Sequence, residues 1–151
     1  MRKVLVMVGS ESDRPEMEGC LEMLKKFGIE HEFVVSSAHR APERTRKLAE
    51  SARERGFGVV ICGAGMAAHL PGVVASLTTL PVIGVPLAGS HLNGMDSLHA
   101  IVQMPPGVPV ATVAIGKAGA KNAAILAAQI LGVTDASMQA KLDAYKRELA
   151  Q

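Results

Sequence analysis

Val59-Val60-Ile61-Cys62-Gly63-Ala64-Gly65-Met66-Ala67-Ala68-His69 passes without a charged residue from a β-branched run into a glycine loop that ends on an imidazole. A short apolar run that does not alternate reads as a strand covered on both faces, as parallel strands are. The loop behind it then falls at the strand's carboxyl end. Two more such pairs lie upstream. Val4-Leu5-Val6-Met7-Val8 precedes Gly9-Ser10-Glu11-Ser12-Asp13, and Phe33-Val34-Val35 precedes Ser36-Ser37-Ala38-His39-Arg40. If the runs are parallel neighbours, their loops meet at the sheet edge where open α/β folds bind ligands. Hydroxyls, a carboxylate, an arginine, two histidines and bare glycine backbone converge there, a set suited to a small anionic molecule.

Working outward, apolar runs at 3–8, 32–35, 58–62, 82–85 and 110–114 read as strands. Helical patterns lie between and after them, at about 15–27, 42–55, 69–77, 95–103, 118–131 and 135–149. In the first helix Met17, Leu21 and Leu24 share a face, and Gly28 is the stop signal. Strands alternating with helices define a doubly wound α/β sandwich, three layers around a five-stranded parallel sheet, closed by a C-terminal helix. The helix at 118–131 is small or apolar nearly all round, so it needs cover on more than one side, for which a subunit interface is a natural source. No linker, repeat or low-complexity tract divides the 151 residues, which read as one domain.

Composition narrows the functional classes. Hydrophobic residues make up 48% of the chain and aromatics 3%, so Val, Ile, Leu, Ala and Met must build the core. Sixteen basic and 14 acidic residues give a formal charge of +2, too balanced to indicate a nucleic-acid or membrane-surface partner. Residues 56–95 carry no Asp, Glu, Lys or Arg, yet Gly63, Gly65, Pro71, Gly72, Pro81, Gly84 and Pro86 break any apolar helix long enough to span a bilayer. The chain opens on a strand-like run rather than a signal peptide, so a cytoplasmic protein is expected. Cys20 and Cys62 then read as reduced, buried thiols. No two histidines stand at a metal-ligand spacing, and neither CxxC nor HExxH occurs.

Each loop carries two readings. Residues 9–13 form a strand-to-helix turn in which Asp13 caps the helix and Glu16 completes a capping box. Ser10 and Ser12 also place hydroxyls beside a helix N-terminus, where an anion is favoured. Residues 36–40 precede a helix that begins at Pro42 behind a poor cap, Ala41, so their polarity is not explained by capping. Arg40 offers a planar cationic fork, and His39 can exchange a proton near neutrality. Gly63-x-Gly65-x-x-Ala68 matches a relaxed dinucleotide fingerprint, but it follows the third strand and no acidic residue lies about twenty positions on. The glycines are better read as letting backbone amides approach a ligand. His69 stands at the mouth, with a satisfied core histidine as its alternative. His31, His91 and His99 sit in no such constellation, and Cys62 reads as packing.

Gly-Ser-x-Ser-Asp at 9–13, Ser-Ala-His-Arg at 37–40, Gly-Ala-Gly-x-Ala-Ala-His-Leu-Pro-Gly at 63–72 and Asp-Ser-Leu-x-x-Ile-Val-Gln-Met-Pro at 96–105 together resemble the 5-(carboxyamino)imidazole ribonucleotide mutases of purine biosynthesis. The resemblance continues through Asn-Ala-Ala-x-Leu-Ala-Ala-Gln-Ile-Leu at 122–131. It implies a flavodoxin-like subunit in a homo-octamer, without metal or organic cofactor. The implied reaction moves the carboxylate of the carboxyamino group to carbon 4 of the imidazole, with carbon dioxide as a bound intermediate. Carried over by motif, Ser10, Ser12, Asp13, Ser37, Ala38 and Arg40 bind the ribonucleotide. Ala64, Gly65, His69 and Leu70 surround the base and the migrating carbon dioxide, and His39 carries the proton. One departure is Met66, where many members have Gly. The alternatives are a carboxylase using free carbon dioxide and a flavodoxin-like nucleotide-binding module.

Overall fold

A computed structural model describes residues 1–151. Its strands are β1 (Lys3–Val8), β2 (His31–Val35), β3 (Phe57–Gly65), β4 (Val82–Leu87) and β5 (Ala111–Thr112). Its helices are α1 (Arg14–Phe27), α2 (Pro42–Ser51), α3 (Leu70–Leu77), α4 (Met95–Val102), α5 (Lys117–Gly132) and α6 (Ala136–Leu149), with a single 3₁₀ turn at Glu11–Asp13. All strands are parallel, in the order β2-β1-β3-β4-β5. This is the flavodoxin-like order, and it reverses direction between β1 and β3, so the loops leaving those strands part and open a crevice.

The pleat sends alternate residues to opposite faces and so makes two cores. Val4, Val6, Val8, Val59, Ile61, Ile83, Val85 and Leu87 pack against α1, α5 and α6. Leu5, Met7, Phe57, Val60, Cys62 and Val82 pack against α2, α3 and α4. On the first face Phe27 and Tyr145 meet edge to face at 5.6 Å. Ala120, Ala123, Ala124, Ala127 and Ala128 of α5 are fully buried within this chain. Helix α5 lies against α1, α6, β3 and β4, so the second cover its composition demands is supplied internally. A Cβ on Gly119 would overlap the Ala114 carbonyl, which is why a glycine interrupts that helix.

Several boundaries differ from the sequence reading. Strand β3 runs on through Gly63, Ala64 and Gly65, which pair with Val85, Pro86 and Leu87. The first half of the glycine loop is therefore strand. Gly63 serves packing rather than ligand approach, since its Cβ would stand 2.7 Å from Met17 Sδ. Strand β5 shrinks from five expected residues to two, and it stops at Thr112 because Pro86 has no N–H. Its carbonyl accepts from Gly116 on the β5 side (2.8 Å), and the same side lacks the donor that would extend the ladder. Helix α2 ends at Ser51 rather than 55, unwinding ahead of Gly56 at φ 89°. Gly28, at φ 70°, ends α1 as the sequence predicts.

Candidate active site

Four loops meet above the carboxyl edge of the sheet and enclose a cavity of about 860 Å³. After β1 come Gly9, Ser10, Ser12 and Asp13; after β2, Ser37, Ala38, His39 and Arg40; after β3, Met66, Ala67, Ala68 and His69, continuous with Ala64, Gly65 and Leu70. Every site residue expected from the sequence lines this one cavity. The sequence reading missed the fourth loop, Leu87-Ala88-Gly89, and Glu16 of α1. The signal was available: residues 87–89 follow the apolar run 82–85 just as the other loops follow theirs.

The first loop is shaped by Ser10, whose extended backbone (φ −147°, ψ 147°) lets its Oγ accept from Ser12 N–H at 3.4 Å. Its hydroxyl also bonds that of Ser12 at 2.9 Å, so the two hydroxyls stand side by side. The expected capping box does not form. Asp13 closes the 3₁₀ turn in helical geometry (φ −82°, ψ −14°) and makes no side-chain cap, because a cap requires extended backbone at that residue. Its carboxyl is left facing the cavity. Burial pushes that carboxyl above its ordinary value of 3.8; backbone hydrogen bonding at Ser10 and the Arg40 charge pull it partway back, and Glu16 adds a push upward.

The second loop is anchored below by a buried hydroxyl pair, Ser36 Oγ to Thr45 Oγ1 at 2.8 Å. Above, Arg40 ties it to the first loop. Its backbone N–H donates to Ser37 Oγ at 3.1 Å, and its Nη2 donates to the Gly9 carbonyl at 3.2 Å. Arg40 makes no ion pair with any carboxylate. It is the one Lys or Arg lining the cavity, against two acidic groups, Asp13 and Glu16.

His39 and His69 meet over the crevice, Nε2 to Nδ1 at 2.6 Å, with rings nearly perpendicular (80°) and centroids 4.7 Å apart. One ring nitrogen must donate and the other accept, the direction following from the tautomer each ring adopts. His69 sits immediately before α3, whose first-turn N–H groups lack helical partners. Behind it, Ala68 N–H donates to the Gly65 carbonyl at 3.0 Å, closing a four-residue turn whose second residue, Met66, takes φ 55°. That position normally belongs to Gly, and a side chain there costs about 1–2 kcal/mol.

The remaining candidates are structural. His31 Nδ1 bonds the Ile29 carbonyl at 2.9 Å, and His31 opens β2 at the amino edge of the sheet, opposite the crevice. Burial pushes the Cys20 thiol up to about 12 and that of fully buried Cys62 further still, so neither is a nucleophile at neutral pH. No group of three His, Cys, Asp or Glu side chains is placed to hold a metal ion.

A flavodoxin-like chain with one cation, clustered hydroxyls and an imidazole pair at its switch-point crevice has the groups that binding a small anionic molecule and exchanging a proton with it would need. The family described as AIR carboxylase matches residues 3–151, and the chain belongs to that family. An N5-carboxyaminoimidazole ribonucleotide mutase of Vibrio vulnificus is 53% identical over 97% of this chain and 91% of its own length. Another of that name from Thermotoga maritima is 55% identical over 99% of this chain and 86% of its own. Among solved structures, Treponema denticola PurE superposes with a TM-score of 0.86 at 28% identity, covering 98% of this chain and 91% of that one.

Proposed function

We propose that this chain is an N5-carboxyaminoimidazole ribonucleotide mutase, converting 5-carboxyamino-1-(5-phosphoribosyl)imidazole to 5-amino-1-(5-phosphoribosyl)imidazole-4-carboxylate. The observation that carries the reading is the meeting of Arg40, the Ser10–Ser12 hydroxyl pair and the His39–His69 pair in one cavity. Arg40 and the hydroxyls of Ser10, Ser12 and Ser37 take the phosphate, assisted by the N-terminus of α1. Asp13 accepts from the ribose hydroxyls. Ala38, Ala64, Gly65 and Leu70 wall the base with small or apolar groups, and His69 faces the migrating carboxylate.

The carbamate is labile, so the enzyme's task is confinement. As the carbamate C–N bond breaks, the nitrogen gains a proton and carbon dioxide is released into the cavity. Carbon 4 of the aminoimidazole then attacks it, and the ring proton at that carbon leaves. One proton is given and one taken, so a single imidazole, His39, can serve both steps. Holding the two fragments together makes recombination effectively unimolecular. The same reading includes a homo-octamer, one domain over residues 1–151 and a cytoplasmic location. No helix is long and apolar enough to cross a membrane.

The family's description as AIR carboxylase supports one second reading, carboxylation by free carbon dioxide. Substrate labelled with carbon-13 in its carboxyamino group, turned over in excess unlabelled bicarbonate, separates them by NMR. Label retained at carbon 4 is the expected result; product formed with the label lost to solvent makes the enzyme a carboxylase.

A further inference from the structure

We propose that Met66 is an apolar gate that keeps carbon dioxide in the cavity between its release and its recapture, an inference that rests on the mutase reading above. Met66 is the second residue of the turn closed by Ala68 N–H on the Gly65 carbonyl, and it adopts φ 55°. Backbone of that kind suits glycine, because any Cβ crowds the carbonyl beside it. Two glycines stand within three residues, at 63 and 65, yet the strained position carries one of the longest apolar side chains. Fold stability therefore does not explain it. The side chain is not hidden in the core to offset its strain, since Met66 is 63% exposed. It lines the cavity beside Ala67 and three residues before His69.

Strain kept at the rim of a site, on a side chain without a packing role, points to a role toward the ligand. The chemistry of that role follows from the group. A thioether chain has no donor for phosphate, accepts at most weakly from ribose or imidazole, and carries no charge to complement the substrate. Carbon dioxide is the one participant that is apolar and uncharged, and the one whose escape defeats the reaction. A flexible, polarizable side chain at the mouth can close over it without forming a bond that must later be broken.

Met66→Gly separates strain from function. Relief of the φ penalty should raise the melting temperature, while loss of the side chain opens the mouth. The carbon-13 partition experiment on purified enzyme then reads retention directly. Expected is a rise in label lost per turnover on the order of tenfold, equivalent to about 1.4 kcal/mol on the escape barrier. Binding of the product ribonucleotide should stay at the native value. Met66→Leu, which keeps an apolar side chain, should restore retention, and Met66→Gln, of similar length but polar, should not. Label loss equal to native in Met66→Gly overturns the proposal. So does unchanged retention accompanied by a smaller assembly mass in light scattering, which would make Met66 a contact between copies. Complete loss of label in the native enzyme is a different result: it overturns the mutase reading itself.

Discussion

Replacing Arg40 by Ala removes the only fixed cation from a cavity that otherwise holds Asp13 and Glu16. Two unit charges about 4 Å apart interact by about 4 kcal/mol at the effective dielectric of a protein surface. Arg40 is exposed, so screening takes part of this, and a charge-assisted hydrogen bond worth about 1.5–3 kcal/mol is the better measure. At about 1.4 kcal/mol per decade, affinity for the phosphorylated product should fall by about 10- to 150-fold. The guanidinium also bonds the Gly9 carbonyl and the Ser37 hydroxyl. Those contacts are exposed, so the melting temperature should barely move. Arg40→Lys keeps the charge but cannot hold the Gly9 carbonyl and the ligand with one planar fork, so it should fall between the two. Calorimetric titration with the product at low and at physiological ionic strength reads the effect. The native protein should weaken more steeply with salt than Arg40→Ala, because the variant has lost the screened interaction. An unchanged dissociation constant, or an unaltered salt slope in a folded variant, refutes Arg40 as the anion ligand.

Three further expectations follow from the same geometry. His39→Asn should bind product normally but lose turnover by about 10²- to 10⁴-fold, the usual contribution of a positioned acid–base group; near-native turnover in steady-state assays removes it from the mechanism. Asp13, with its folded value raised by burial, binds its proton more tightly folded than unfolded, so stability is lost as pH rises through and just above the ordinary value of 3.8. Asp13→Asn should abolish that decline and melt higher than native at neutral pH; identical melting-temperature profiles against pH would show the carboxyl is not desolvated. Gly119→Ala should destabilise by about 1–3 kcal/mol through overlap with the Ala114 carbonyl, although Ala is the better helix former by about 1 kcal/mol. Melting should drop by about 2–12 °C, and a rise in thermal denaturation would contradict the packing of α5 against that loop.

The order of strands and helices, the buried sheet and three of the four cavity loops were legible because each rests on local pattern. Apolar runs at 3–8 and 58–62 announce buried parallel strands, and the polar residues behind them have few roles at a strand's carboxyl end except to bind. The right-handed crossover then leaves little freedom in the topology. Specific motifs at 9–13, 37–40 and 63–72 carried the family, which the comparisons place beyond the fold alone.

What remained for the tertiary structure is everything set by contacts between distant segments. Sequence could not show that Asp13 would be helical and so unable to cap, because that depends on a 3₁₀ turn started by Ser10. Nor could it show that His39 and His69, thirty residues apart, share a hydrogen bond, since β1 lies between β2 and β3 and only the folding of their loops over its end joins them. The extent of β3 and β5 was decided by neighbours: Gly63–Gly65 became strand because β4 pairs with them, and β5 stopped where Pro86 withholds a donor. The cover of α5 came from α1 and α6, and the left-handed turn at Met66 from the closure of Ala68 on Gly65. Periodicity and residue chemistry, being local, determined the elements and the cast of the site. Pairing, burial and charge proximity, being properties of the folded chain, decided which of those residues meet and in what state.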